Sequence, residues 1–137
     1  MALTATVLTD AYILVNASNV SDHGNKVGIN ATVVDLKTTA FGQTWENRVG
    51  GLKDGTIDFD FMNDFVAANL DSIFWPLLGT VVTFEIRPTS GARSTSNPAY
   101  TGSLFVKDWK PIVGNVGALA MVSVSFPTSG TVLRQTS

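Results

Sequence analysis

The sequence has no cysteine and one histidine. Without cysteine the chain has no disulfide bond, no thiolate nucleophile and no sulfur-ligated metal. The single histidine, His23, stands in the segment SDHGN, and no signature of a Ser-His catalytic pair surrounds it. We therefore interpret His23 as a turn residue.

Charged residues are also scarce. They make up 15% of the 137 residues, against 45% hydrophobic residues, and the nine lysines and arginines are scattered along a chain of net charge -2. This balance argues against a disordered chain and against a basic nucleic-acid-binding surface. It predicts a single domain, residues 1–137, with one core and with a surface that is partly covered in an assembly.

Long apolar runs are missing as well. No stretch approaches the roughly 20 apolar residues of a membrane-spanning helix. The first ten residues, MALTATVLTD, lack the basic segment and apolar run of a secretion signal. We therefore expect no membrane association and synthesis in a cytoplasm.

The sequence does contain several short segments with the composition or two-residue alternation of β-strands. The predicted strands are residues 12–15, 27–37, 56–61, 80–87, 101–109, 119–126 and 131–134. The clearest alternation places Ile57, Phe59 and Phe61 on one face of a strand and Asp58 and Asp60 on the other. The sequence therefore predicts a mainly β domain.

One segment, NDFVAANLDSIFWP, has helical spacing instead. Its apolar residues at that spacing are Val66, Leu70, Ile73 and Phe74. Asn63 or Asp64 is placed to cap the start, and Pro76 disfavours helical geometry at Trp75. The pattern predicts one short amphipathic helix that covers an open end or face of the sheets.

Two polar segments fit neither pattern. Residues 87–102 are rich in Ser, Thr, Gly and Pro, and residues 38–55 read TTAFGQTWENRVGGLKDG. Loops of this length are uncommon in a compact domain unless they bind something. Both segments are therefore predicted to be loops and candidate binding surfaces.

The strongest catalytic candidate is the acidic pair. A strand places Asp58 and Asp60 about 6.6 to 7 Å apart on one face, near the carboxyl spacing of inverting glycosidases. Such an enzyme also needs a sugar-binding cleft and one carboxyl in an apolar pocket, whereas alternation alone gives a solvated acidic face. DFDFMND lacks the glycine and glutamate of a calcium loop, and GGLKDGT lacks P-loop spacing. We therefore predict no enzyme, no metal and no cofactor.

Several segments match in order the pattern of one known family. These are the SDH turn, the segment TAFGQTWENRVGGLKDG, the alternating strand that follows it, and the C-terminal VGALAMVSVSFPTSGTVLRQTS. In this order they resemble the tail tube (major tail) proteins of long-tailed, siphovirus-like bacteriophages, over nearly the whole chain. One departure is the glycine after His23, which loosens the turn.

The resemblance implies a structural virion protein located in the tail. Its expected fold is a β-sandwich or barrel-like subunit with one short α-helix. Six copies are expected to form a ring, and stacked rings a tube that conducts double-stranded DNA from capsid to host cell. The expected partners are further copies of the chain, the tape measure protein and the tail terminator, with DNA passing non-specifically.

The resemblance also implies roles for particular residues. Residues 38–55 are expected to reach neighbouring copies, with Phe41 and Trp45 as aromatic anchors and Glu46 and Arg48 as polar contacts.

Asp58 and Asp60 are candidates to face the lumen, where carboxylates repel DNA phosphates and let DNA slide.

An alternative interpretation is a monomeric or small-oligomer β-sandwich module that binds to or decorates a virion. In that case residues 87–102 form its recognition surface.

Overall fold

The computed structural model describes residues 2–137, which form two antiparallel β-sheets and one short α-helix. The strands are β1 (Tyr12–Val15), β2 (Ser18–Asn19), β3 (Gly24–Lys37), β4 (Arg48–Met62), β5 (Val81–Arg87), β6 (Ala99–Phe105), β7 (Met121–Pro127) and β8 (Leu133–Gln135). The helix is α1 (Leu70–Phe74), and 3-10 turns span Ser21–His23 and Trp75–Leu77. One sheet has the order β2-β1-β5-β6-β8 and the other β3-β4-β7. The predicted mainly β fold with one short helix is confirmed.

The two sheets share one hydrophobic core. The smaller sheet contributes Ile57, Phe59, Phe61, Val122, Val124 and Phe126, and the larger sheet contributes Ile13, Val15, Val82, Phe84, Ile86 and Leu104. These residues occupy alternate positions because successive side chains of a strand point to opposite faces.

An aromatic cluster fills one end of this core. Phe74 of α1 stacks on Trp109 with ring centroids 4.6 Å apart, and its ring lies 5.6 Å from that of Phe61 and 6.1 Å from that of Phe126. The Trp109 indole Nε1 donates a hydrogen bond to Asp71 (3.1 Å), so its polar edge is satisfied. The helix therefore covers an end of the sheets, as predicted.

The helix is shorter at its start than predicted. Asp64 accepts hydrogen bonds from the backbone N–H of Val66 (3.0 Å) and from Asn69 (2.7 Å), and Ala68 has a φ of 66°. Asp and Asn side chains bond nearby backbone groups in this way and favour turns over helix. The predicted start at residue 63 or 64 is wrong, since α1 begins at Leu70 and Val66 is exposed.

Other boundaries agree more closely. β1 coincides with its predicted range, and α1 ends at Phe74, as predicted. The predicted loss of helical geometry at Trp75 is wrong, since Trp75 has φ -58° and ψ -46° and begins a 3-10 turn that contains Pro76. Several predicted strand ends are wrong: β3 starts at Gly24 rather than at residue 27, and β7 starts at Met121 rather than at residue 119. β6 is Ala99–Phe105 rather than 101–109, and β8 is Leu133–Gln135 rather than 131–134. Trp109 lies beyond the end of β6, and its ring stacks on Phe74 of the helix.

The predicted loop at residues 38–55 is correct only for residues 38–47. Residues 48–55 belong to β4, which pairs with β3 from Arg48 to Phe61. The glycines and charged residues of this segment did not predict a strand, because neither face of the hairpin packs on the core here. A register shift between Val33 and Asp35 also interrupts the alternation.

The other predicted loop is confirmed for residues 88–98. Asn97 is buried, and its side chain forms hydrogen bonds within the loop. Its Nδ2 donates to the carbonyl oxygens of Gly91 (2.9 Å) and Ala92 (3.1 Å), and its Oδ1 accepts from the N–H of Thr89 (3.1 Å). The loop is therefore held in one conformation.

Candidate functional site

The hairpin of β3 and β4 extends well past the rest of the subunit. β7 pairs with β4 only from Thr56 onward, so residues 30–54, here called the arm, form a two-stranded ribbon with a connecting loop. All of its residues are exposed except the partly exposed Gly51. Its exposed large apolar side chains are Val33, Val34, Leu36, Phe41, Trp45, Val49 and Leu52. An isolated two-stranded ribbon is at best marginally stable in water, so the arm is suited to being covered by another surface.

The outer half of the arm has two different faces. Leu36 lies opposite Val49 across the hairpin, and Val34 shares their face by the two-residue alternation. Lys37 lies opposite Arg48 on the other face. The register shift thus leaves one apolar and one charged face.

The charges on the second face balance one another through ion pairs within the arm. Arg48 pairs with Asp35 (3.1 Å) and with Glu46 (2.5 Å), and Glu46 also pairs with Lys37 (2.9 Å). All four side chains are largely exposed, so each pair contributes at most about 1 kcal/mol. The structure therefore brings Glu46 and Arg48 together, in one ion-pair cluster at the base of the loop.

The loop at the arm tip is ordered by polar contacts. The Asn47 N–H donates to Thr39 Oγ1 (2.8 Å), and Asn47 Nδ2 donates to Gln43 Oε1 (3.1 Å). Between these contacts Phe41 is 108% exposed and Trp45 is 85% exposed. Both aromatic side chains of the tip are therefore almost fully exposed in the single subunit, which makes the tip a candidate contact surface.

A second apolar surface, here called the distal groove, lies at the other end of β4. It is a cavity of about 480 Å³ lined by Phe65, Pro111, Ile112, Val113, Ala118 and Ala120, among others. Asn63 fixes its walls, since its side chain donates to Pro111 O (2.7 Å) and its N–H donates to Ala120 O (2.9 Å). Ile112 is 87% exposed and Val116 107% exposed. Sequence reasoning missed this surface, because the segment GNVGALA has no strand or helix period.

His23 supports the turn beside the distal groove. It lies in a 3-10 turn, as predicted, with Nδ1 2.9 Å from Asp22 and Nε2 3.2 Å from Asp64. The hydrogen bond from the Val66 N–H, followed by those from His23 and Asn69, holds the pKa of Asp64 below its ordinary value of 3.8. These contacts tie the turn at residues 63–69 to the body of the subunit.

Asp58 and Asp60 lie on the face of β4 that points away from the core, as predicted. Their cross-strand neighbours are Gly28 and Ser125 for Asp58, and Lys26 and Ser123 for Asp60. These neighbours make a polar surface and not the apolar pocket that a glycosidase needs around one of its carboxyl groups. The geometry therefore gives no support to a glycosidase.

Residues 2–137 contain no cluster of metal-binding side chains and no helix suited to spanning a membrane. Within that range no group of three or more His, Cys, Asp or Glu side chains is arranged to hold a metal ion. None of the helices in the described part of the chain has the length and apolar character needed to cross a membrane.

Comparison with solved structures identifies the fold. A chain in the virion of the native gene transfer agent (GTA) particle superposes with a TM-score of 0.76 at 14% identity, over 96% of this chain and 99% of that chain. A chain in the tail of the empty GTA particle, computed with helical refinement and C6 symmetry, matches with a TM-score of 0.64 at 13% identity over 82% of both chains. The chain shares its fold with a GTA tail chain. No protein-family model and no curated protein matches the sequence.

Proposed function

We propose that this chain is a tail tube protein. Six copies form a ring, and stacked rings form a tube in the tail of a virion through which double-stranded DNA passes. The observation that carries the proposal is the arm, which is ordered and apolar on one face yet exposed to solvent. The fold match to a chain of a C6-symmetric tail supports the same assembly.

The arm supplies the contacts between copies. A ring closes when one patch of each subunit binds a different patch of the next subunit. Phe41 and Trp45 are the aromatic anchors of this contact, since buried aromatic side chains dominate interface energies. Glu46 and Arg48 keep the two strands of the arm paired and form the polar rim around the anchors.

The face of the smaller sheet that carries Asp58, Asp60 and one cation, Lys26, lines the lumen. Asp58 and Asp60 lie on the same strand as the arm, so arms that hold neighbouring copies also align these carboxylates around the channel. An acidic wall repels phosphates and lets DNA slide, whereas a basic wall retains it. The tape measure protein and the tail terminator are further partners of such a tube.

Imaging and sedimentation of the purified protein test this proposal. At high concentration we expect rings or tubes with sixfold class averages in negative-stain micrographs, and a concentration-dependent sedimentation coefficient. A profile that stays monomeric at every concentration contradicts the tube. It favours instead a binding or decoration module of a virion, for which the rigid loop held by Asn97 is the candidate recognition surface.

The lumen assignment predicts an effect on DNA ejection. Replacing Asp58→Lys and Asp60→Lys reverses the charge of the wall but leaves Ile57, Phe59 and Phe61 in the core, so tubes still assemble. We expect ejection from mutant virions to be at least about tenfold slower at low salt and to recover as salt screens the lysines. Fluorescence of a DNA dye outside the virion measures the rate.

The matched control is the pair Asp58→Asn and Asp60→Asn, which removes the charge without reversing it and should slow ejection less. If the lysine variant ejects at the normal rate across the salt range, these carboxylates do not face the channel.

A further inference from the structure

We infer that the distal groove of one copy receives the arm loop of the next copy, with Trp45 seated between Phe65 and Ile112. This docking rests on the proposed function in one respect only: copies of the chain must associate with one another. It assigns the receiving surface, which neither the fold match nor the arm specifies.

The two surfaces lie at opposite ends of one strand. β4 has 15 residues, with the arm loop before Arg48 and the groove after Met62. At about 3.3 Å per residue its ends are separated by about 45 to 50 Å, so the loop and the groove of one copy do not meet. A contact between them joins two copies head to tail, which is the heterologous geometry that closes rings or extends filaments.

The two aromatic side chains of the arm supply about half of the surface that a stable contact needs. Phe and Trp side chains bury about 150 to 250 Å² each, so Phe41 and Trp45 together supply about 300 to 500 Å². A stable interface buries about 800 Å² per partner, and the apolar face of Val34, Leu36 and Val49 adjoins the tip to extend the contact. The groove volume of about 480 Å³ falls in the range of cavities that hold small organic ligands, so an indole fits.

Both surfaces are nearly free of charge. The loop at residues 38–47 carries one charge, Glu46, and the segment at residues 110–120 carries one charge, Lys110, each at the margin of an otherwise uncharged stretch. Glu46 already pairs with Lys37 and Arg48 within the arm, so docking buries apolar surface against apolar surface and requires no new ion pair. No charge is buried without a partner, which is the arrangement that avoids a large desolvation penalty.

Engineered disulfides test this contact, and the chain has no native cysteine to interfere. Thr44→Cys places a thiol beside Trp45, and Asn115→Cys places one on the groove, where both positions are exposed. The two single variants are mixed under assembly conditions and oxidised, and linked peptides are identified by mass spectrometry. Because a disulfide needs Cα atoms within about 7 Å, it forms only if the loop reaches the groove of another copy. The control pairs Thr44→Cys with Thr131→Cys, an exposed site in another part of the chain.

We expect the link between positions 44 and 115 to form at least about tenfold faster than the control link, because docking raises the effective concentration of the two thiols. Tubes that form without this link, or with links at the control rate, overturn the groove assignment and leave the tube proposal standing. Links in small closed oligomers without tubes support the groove and overturn the tube. A chain that never associates contradicts both.

Discussion

Phe41→Ala combined with Trp45→Ala is expected to give a folded monomer that no longer assembles. Truncating a central aromatic anchor costs about 2 kcal/mol or more, so the pair weakens each contact by about 4 kcal/mol, or roughly 1,000-fold. A tube repeats the contact at every subunit, so the loss is expected to be complete at concentrations where the unmodified protein polymerises. Sedimentation velocity and negative-stain microscopy measure it.

We expect this variant to stay folded, because both side chains are exposed and lie outside the core cluster. Far-ultraviolet circular dichroism should keep its β-sheet spectrum. Trp75→Ala is the matched control, because Trp75 is an exposed aromatic residue outside the arm. If the double variant loses its β-sheet signal, the two aromatics belong to the subunit core. If it assembles as well as Trp75→Ala, the arm is not the contact surface.

Phe74→Ala is expected to have the largest effect on stability. Phe74 has no exposed surface, and its ring packs against those of Phe61, Trp109 and Phe126. Truncating a buried Phe costs about 3 to 5 kcal/mol, out of a total of about 5 to 15 kcal/mol for a domain. We expect the midpoint of urea unfolding, measured on an assembly-deficient background, to fall sharply.

Phe65→Ala provides the matched comparison for this core variant. Phe65 is largely exposed at the distal groove, so its truncation should change the free energy of unfolding by no more than about 0.5 kcal/mol. Equal losses of stability in the two variants would show that Phe65 is part of the core and that the groove is not an open surface.

The sequence predicted the strands wherever one face packs on the core. Ile57, Phe59 and Phe61 alternate with Asp58 and Asp60 because burial on one side and solvent on the other select the residues differently. From the same pattern the sequence predicted which face carries the carboxylates. Whether that face lines a channel depends on other copies and stays a prediction.

The strand at residues 48–55 of the arm was not predicted, for a physical reason. The strands of the arm pack on no core, so no two-residue period is imposed on residues 48–55, and the register shift after Val33 displaces the faces of β3 and β4. The resemblance to tail tube proteins nevertheless singled out Phe41 and Trp45 in this loop. The structure exposes both side chains, and their role as anchors stays a prediction. The helix start was missed because Asp64 bonds the backbone of its own turn, which no hydrophobic period reveals.

The continuity of β4 from arm to core sets how the subunit carries mechanical load. Tension applied at the arm tip enters the body along the middle strand of a sheet, bonded to β3 on one side and to β7 on the other. Antiparallel hydrogen bonds lie across the strand, so a pull along it loads them together in shear instead of peeling them apart one by one. The register shift near Gly51 is the compliant point, since a bulge bends a strand locally. In the proposed tube, copies linked through their arms would therefore be stiff bodies joined by flexible connections, so the tube could bend without breaking its wall.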